Sequence, residues 1–169
     1  MAKQKVYLDS TVPSAYYDSR TPERQGQTLQ FWELLLPDFE AVISSIVLLE
    51  IRGTPNTERR RQLENLVKDF DVLVFDEEAD TLAQEYVRRE VFPEKYIDDA
   101  NHVAIAVTNG IGYFCSWNFT HLVKVNTRRE VNLINALKGY GPIEIIAPHP
   151  KLFLEIIAHC PKMVVGFTI

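Results

Sequence analysis

The chain has 169 residues, of which 46% are hydrophobic and 24% are charged, a balance typical of a single globular domain. Its formal net charge of −5 does not favour a protein that holds nucleic acid by broad electrostatic attraction, although a cluster of metal-binding carboxylates also lowers the net charge. The two cysteines, Cys115 and Cys160, are too few for a disulfide framework or a four-cysteine zinc site. No apolar run is long enough for a signal peptide or a membrane span, so we expect a cytoplasmic protein without membrane contact.

In the first half of the chain, short apolar runs alternate with segments whose apolar residues recur at helical spacing. Each short run predicts a buried strand, and Pro37 and Gly53 are expected to end helices. Ser44 or Ser45 can cap the short helix that carries Glu50. The elements predicted here are a strand at 5–8, a helix over 23–36, a strand at 41–43, and helices over 46–51 and 57–69.

The second half of the chain repeats this alternation. Asp76 is a predicted N-cap, and Asp98 and Asp99 fall in the first turn of a predicted helix. Thr127 and Glu130 form a predicted capping box for the helix that follows. The elements predicted here are a strand at 72–75, helices over 77–87 and 96–108, a strand at 111–115, a helix over 127–137 and a strand at 143–146.

Strands that alternate with helices predict an α/β fold, because parallel strands need long crossover connections. We expect a three-layer α/β/α arrangement around a central parallel sheet of four to five strands. Residues 1–146 form the predicted domain. Residues 147–169 form a predicted C-terminal extension that packs on the domain or on a partner, and their apolar character favours a homodimer.

Polar side chains follow several of the predicted strands. Asp9 and Asn118 come directly after strands, Glu50 lies on a helix after the second strand, and Asp98 and Asp99 begin the helix before the fourth. Because ligands of parallel α/β sheets bind outside the carboxyl ends of the strands, these four segments can converge. Their oxygen atoms suit hard cations such as Mg²⁺ or Mn²⁺, which assist phosphodiester hydrolysis.

Each acid also has a simpler interpretation when it is considered alone. An Asp after a strand often caps a helix, and an Asp in a first turn often interacts with the helix dipole. Glu50 is harder to explain in this way, because it follows four apolar residues on a helix that we expect to face inward. A buried acid of this kind needs a partner.

Four segments together resemble the PIN-domain family: LDST at 8–11, SSIVLLEI at 44–51, DDANHVAIA at 98–106 and YFCSWNFTHL at 113–122. The resemblance covers roughly residues 5–146. It implies an α/β fold with a central parallel sheet. It also implies a Mg²⁺- or Mn²⁺-dependent ribonuclease, a class that includes the toxins of bacterial toxin–antitoxin modules.

The resemblance assigns roles to individual residues. Asp9 stands at the first acidic position of the family, Glu50 at the second and Asp99 at the third, with Asp98 as an adjacent alternative. The fourth position usually holds Asp, whereas this chain has Asn118. The predicted catalytic set is therefore Asp9, Glu50, Asp99 and Asn118, and the predicted metal ligands are Asp9, Asp98, Asp99 and Asn118.

Three neighbouring residues complete the predicted site. Ser116 fits the hydroxyl position that precedes the fourth acid in the family. His102 and His121 lie beside the Asp99 and Asn118 motifs, and each could contact a phosphate, hold a ligand through a hydrogen bond or have a purely structural role.

The first functional hypothesis is an endoribonuclease with a Mg²⁺ or Mn²⁺ cofactor, an RNA substrate and an antitoxin protein as partner. The alternative is a binding or scaffold protein that keeps the PIN fold with weakened catalysis, which Asn118 and the unassigned tail favour. A Rossmann-like nucleotide binder is disfavoured, because no glycine-rich loop follows the first strand.

Overall fold

The computed structural model describes residues 2–159 of the chain. Its centre is a sheet of five strands, all parallel, in the order β3-β2-β1-β4-β5. The strand order reverses at β1, because β2 pairs with one side of this strand and β4 with the other. The strands are β1 (Gln4–Leu8), β2 (Phe39–Ser44), β3 (Asp71–Leu73), β4 (Tyr113–Cys115) and β5 (Glu144–Ile146).

Helices connect successive strands and cover the sheet, as parallel pairing requires. The predicted three-layer α/β/α fold with a parallel central sheet is confirmed. Two short 3-10 helices lie at Leu36–Asp38 and Glu94–Tyr96. The α-helices are α1 (Thr11–Tyr16), α2 (Pro22–Leu34), α3 (Ser45–Arg52), α4 (Thr57–Val67), α5 (Glu77–Arg88), α6 (Ile97–Thr108), α7 (Val125–Lys138) and α8 (Pro150–His159).

The core lies on both faces of the central strands. Val6, Tyr7 and Leu8 of β1 are fully buried, which is expected of a parallel strand covered by helices on both sides. Helix α6 is buried over the consecutive residues 100–107, so it has no polar outer face along this stretch. This packing gives the ends of β1 and α6 a rigid support.

Two helix starts agree with the sequence analysis and one does not. The Ser44 hydroxyl accepts a hydrogen bond from the Val47 N–H and caps α3, and Asp76 caps α5. The predicted capping box at Thr127 is wrong, because α7 already begins at Val125. Thr127 instead lies inside the first turn, where its hydroxyl donates to the His121 carbonyl at 3.0 Å.

Helix α8 was not predicted, and it lies in the segment assigned to the C-terminal extension. Its Phe153 is fully buried and contacts Phe31, Phe39 and Tyr113, with ring centroids 5.2, 5.3 and 6.2 Å apart. This part of the extension therefore packs on the domain. Cys160 and the rest of the extension lie outside the described residues.

No helix within residues 2–159 is both long and apolar enough to cross a membrane.

Candidate active site

Asp9 lies at the carboxyl end of β1, where the strand order of the sheet reverses. The register pairs Leu8 with Cys115 and so places Asp9 next to Ser116 at the end of β4. The Ser116 hydroxyl donates to Asp9 Oδ2 at 2.5 Å, and the Thr11 N–H donates to Oδ1 at 3.1 Å. The Thr11 hydroxyl also donates to Oδ1, so both carboxylate oxygens are held by the protein.

Asp9 is an unusually buried acid, with only 3% of its surface exposed. Burial raises the pKa of Asp9 to about 6, although the charge of His102 and the hydrogen bonds from Ser116 and Thr11 act in the opposite direction. Its ionised form is therefore costly in the folded protein, and a nearby cation would stabilise it.

Glu50 lies in the last turn of α3, and 37% of its side chain is exposed. The expectation that it faces inward is therefore wrong. The expected partner is present, because Glu50 Oε1 lies 2.6 Å from His102 Nε2 and the Ser10 hydroxyl donates to Oε2. Burial alone would raise the pKa of Glu50, but His102 and Ser10 lower it below its ordinary value. Glu50 is thus ionised at neutral pH.

His102 connects Glu50 to the interior of the domain. Its Nδ1 atom lies 2.6 Å from the Tyr7 hydroxyl oxygen, and the Tyr7 hydroxyl donates to Ser44 Oγ at 2.7 Å. His102 thus links the Glu50 carboxylate to the Tyr7 hydroxyl through its two ring nitrogens. Burial lowers the pKa of His102, but its hydrogen bond to Glu50 and the nearby carboxylates raise it above its ordinary value overall.

Asp98 and Asp99 lie in the first turn of α6, as predicted. Asp98 is exposed, whereas Asp99 is half-buried, and burial raises the pKa of Asp99. The Asn118 side-chain amide donates towards both Asp99 oxygens, at 3.3 Å each. Asn118 thus stands beside Asp99 as a hydrogen-bond donor.

The orientation of the Asn118 amide is fixed by a second hydrogen bond. Its Oδ1 atom accepts from the His121 backbone N–H at 3.0 Å, and a backbone N–H can only donate. The NH2 group must therefore be the end that faces Asp99. The His121 ring packs against the Tyr96 ring, with ring centroids 3.9 Å apart, and the charge of His121 opposes the rise in the pKa of Asp99.

These residues line one cleft of about 260 Å³. The structure brings together Asp9, Glu50, Asp98, Asp99, His102 and Asn118, all of which were predicted from the sequence. Ser116 is fully buried behind Asp9, and His121 lies behind Asn118. The cleft is also lined by Ser10, Thr11, Lys95 and Tyr96.

Sequence analysis missed several of these residues. Ser10 and Thr11 belong to the first motif and could have been recognised as hydroxyl donors to the neighbouring acids. Lys95 directly precedes the segment with Asp98, so a basic residue near the cleft had a local signal. Tyr7, which contacts His102 from behind the cleft, had no local signal, because it is an ordinary aromatic residue of a buried strand.

The donor set of the cleft fits a hard divalent cation. Its acids offer carboxylate oxygens, the ligands preferred by Mg²⁺ and Mn²⁺. Burial raises the pKa of Asp9 and of Asp99, so a nearby cation would stabilise their ionised forms. Within residues 2–159, no three Asp, Glu, His or Cys side chains are already arranged around one ion position. Asp9, Glu50 and Asp99 are instead held by hydroxyl, imidazole and amide donors, which an ion would partly replace.

Comparison with known proteins agrees with this fold. Two solved structures are similar in fold: the Mycobacterium tuberculosis toxin VapC20, which cleaves the sarcin-ricin loop, and the VapBC2 proteins of Rickettsia felis bound to a DNA fragment from their promoter. The first has 18% identity and a TM-score of 0.53, covering 69% of this chain and 92% of its own. The second has 16% identity and a TM-score of 0.52, covering 85% and 98%. No curated protein matches the chain.

The PIN-domain family model matches residues 6–117, which is more than half of the chain. The matched segment contains Asp9, Glu50 and Asp99 and ends at the residue before Asn118. The resemblance inferred from the four sequence motifs is confirmed, and the chain belongs to the PIN-domain family.

Proposed function

We propose that the chain is a divalent-metal-dependent endoribonuclease of the cytoplasm. The observation that carries this proposal is the convergence of Asp9, Glu50 and Asp99, from three separate elements, on one cleft beside Asn118. Such a group of carboxylates costs stability without a cation and suits an ion that acts on a phosphodiester. Membership of the PIN-domain family supports a nuclease.

We propose Mg²⁺ or Mn²⁺ as the cofactor, with Asp9 and Asp99 as its main ligands and Asp98 at the edge of the cleft. The ion would supply positive charge for the phosphate oxygens and lower the pKa of a water nucleophile. Asn118 is assigned a positioning role, because its amide donors hold Asp99. Ligation through the Asn118 oxygen is the alternative, and it requires the bond to the His121 N–H to break.

The remaining residues of the cleft fit proton transfer and substrate binding. Glu50 is ionised and solvent-accessible, so it can accept a proton from water while His102 and Ser10 hold its carboxylate. Lys95 supplies a positive charge on the same cleft, where its ammonium nitrogen lies 4.9 Å from the centre of the Tyr96 ring, and it can contact a phosphate of the substrate. No covalent protein nucleophile is needed.

The fold relatives suggest the biological setting. VapC20 is a toxin that cleaves the sarcin-ricin loop, and VapBC2 was solved with a DNA fragment from its promoter. We propose by analogy that this chain is the toxin of a toxin–antitoxin pair, with an antitoxin protein as partner and a homodimer as its own assembly. The antitoxin would cover the acidic cleft.

RNA cleavage by the purified protein tests the proposal. We expect single-stranded or structured RNA to be cut with Mn²⁺ or Mg²⁺ and left intact with EDTA. Asp9→Asn and Asp99→Asn should each reduce kcat at least 100-fold. Asp69→Asn is the matched control, because Asp69 is exposed and does not line the cleft. Equal cleavage by the wild type and all three variants would show that the site is assigned wrongly.

A second candidate function is a PIN-fold binding protein without catalysis. It is favoured by one observation: an amide stands where the family usually has an acid, and this amide already satisfies Asp99 in the absence of an ion. Calorimetry separates the two candidates. Absence of both Mn²⁺ binding at millimolar concentration and RNA cleavage would favour the binding protein.

A further inference from the structure

A second cavity, of about 500 Å³, lies beside the candidate active site. Its walls include Arg24 and Gln27 of α2, Trp117 and Phe119 after β4, and His149 and Leu152 after β5. It therefore opens at the carboxyl ends of β4 and β5, along the same edge of the sheet as the acidic cleft. Ligands of parallel α/β sheets bind at this edge.

One short segment forms the wall between the two spaces. Trp117 and Phe119 line the cavity, while Asn118 between them lines the acidic cleft. The segment is firmly held, since the Trp117 N–H donates to Thr11 Oγ1 at 2.9 Å and Thr11 in turn hydrogen-bonds Asp9. An RNA strand that crosses this segment would place adjacent chemical groups of the RNA in the cleft and in the cavity.

The cavity has a rigid aromatic floor. Trp117 is only 8% exposed, and its indole N–H donates to the Thr28 hydroxyl at 2.9 Å. The guanidinium carbon of Arg24 lies 5.5 Å from the centre of the Trp117 ring. Trp117 is therefore fixed by packing and by this hydrogen bond.

Phe119 is the aromatic side chain that remains accessible. It is 48% exposed, and its ring centre lies 6.0 Å from that of Trp117. An exposed phenyl ring beside a fixed indole and a guanidinium offers flat, sequence-tolerant stacking surfaces for a planar ligand. Glu23 also borders the cavity and offsets the charge of Arg24, so a neutral planar group fits better than a bare phosphate.

We propose that this cavity binds an unpaired nucleobase of RNA, next to the phosphodiester held in the acidic cleft. The base stacks on Phe119, and Arg24 completes the contact from the Trp117 side. This inference deepens the proposed ribonuclease function and rests on it for the identity of the ligand. It assigns substrate binding to residues that lie outside the acidic site.

Trp117 provides an internal reporter for the test. The chain has two tryptophans, so Trp32→Phe leaves Trp117 as the only one. This variant is titrated in EDTA, which prevents cleavage, with a short single-stranded oligoribonucleotide and with an abasic strand of the same length. We expect saturable quenching of the Trp117 fluorescence by the first strand and binding at least 10-fold weaker for the second.

Phe119→Ala in the Trp32→Phe background should weaken binding by about 5- to 100-fold, the usual effect of removing one base-stacking aromatic ring. Leu133→Ala is the matched control, because Leu133 is also an exposed apolar side chain, 63% exposed, but lies on α7 and does not line the cavity, so it should change affinity less than twofold. Circular dichroism and thermal melting verify that each variant folds. Equal affinity for the base-containing and abasic strands, or for Phe119→Ala and its parent, would overturn the proposal.

A cleavage assay separates this inference from the proposed function. If the wild-type protein cuts RNA, Phe119→Ala should raise KM at saturating Mn²⁺ and leave kcat within threefold, and an unchanged KM would overturn the base-binding proposal alone. If the wild-type protein cuts no RNA, the ribonuclease function fails. The fluorescence titration then decides whether the cavity binds a base.

Discussion

The Tyr7 hydroxyl oxygen lies 2.6 Å from His102 Nδ1. Through this contact, and through its hydrogen bond to Ser44 at 2.7 Å, one buried side chain connects β1, the cap of α3 and the middle of α6. These are the elements that carry Asp9, Glu50 and Asp99. Tyr7 therefore holds in register the three segments on which the acidic cleft depends, although it does not line the cleft.

Tyr7→Phe removes only the hydroxyl group and tests this role. We expect a loss of about 1–3 kcal/mol in the free energy of unfolding, because buried polar atoms of His102 and Ser44 lose a partner. In the proposed ribonuclease, kcat should fall several-fold with little change in KM for RNA. Denaturant unfolding and steady-state kinetics measure the two effects.

Tyr140→Phe is the matched control for this change. The Tyr140 hydroxyl also makes one hydrogen bond, to Glu78 at 2.7 Å, but on the surface and far from the cleft. It should alter stability by less than about 0.5 kcal/mol and leave kcat unchanged. If Tyr7→Phe behaves like Tyr140→Phe, the hydroxyl does not position the site.

The buried carboxyl of Asp9 predicts an unusual dependence of stability on pH. Its pKa rises from an ordinary 3.8 to about 6 on folding, so the folded protein binds more protons than the unfolded chain between these values. The contribution of Asp9 to stability therefore decreases as pH rises through this window, by up to about 3 kcal/mol. Asp9→Asn replaces the carboxyl group with a neutral amide and so removes the free-energy cost of ionising a buried carboxyl group.

In EDTA at pH 7.5, Asp9→Asn should be more stable than the wild type by about 1–3 kcal/mol. The difference should shrink towards pH 4, where Asp9 is protonated in the folded wild type. Urea unfolding across this pH range measures it. Saturating Mn²⁺ should narrow the difference at pH 7.5, because only the wild type gains from the ion. A variant less stable than the wild type at every pH would contradict this account of Asp9.

Asn118→Asp tests whether the amide has replaced an acid that binds an ion. Without metal, the variant should be less stable by about 1–3 kcal/mol, since the hydrogen bonds to Asp99 are exchanged for like-charge repulsion. With Mn²⁺, it should bind the ion at least several-fold more tightly than the wild type. Calorimetry and thermal melting provide both values.

Asn118→Ala is the comparison for this variant. It loses the same hydrogen bonds and gains no charge, so it should be destabilised without any increase in Mn²⁺ affinity. If Asn118→Asp and Asn118→Ala bind Mn²⁺ with the same low affinity, position 118 does not face the ion.

The residues of the site were predictable wherever a local signal marked them. Asp9 follows a short apolar strand, and Asp99 begins a helix, so sequence position alone put both acids near the same edge of the sheet. The parallel pairing of β1 with β4 then brings Ser116 to Asp9, as expected from the alternation of strands and helices.

Other features depend on contacts that no local pattern records. Four consecutive apolar residues before Glu50 conceal the helical phase of α3, in which Val47 and Ile51 face the core while Leu49 and Glu50 face outward. The contact between the Tyr7 hydroxyl and His102 Nδ1 joins residues far apart in the chain. Helix α8 is fixed by the insertion of Phe153 among distant aromatic rings, so its packing could not be inferred from its own sequence.

Calorimetric titration of the metal-free protein with Mn²⁺ tests most directly the claim that the acidic cleft is a divalent-cation site. We predict saturable binding to the wild type and to the surface variant Asp69→Asn, and binding at least 100-fold weaker for Asp9→Asn and for Asp99→Asn. Absence of binding to the wild type at millimolar Mn²⁺, or equal affinity in all four proteins, would contradict the account.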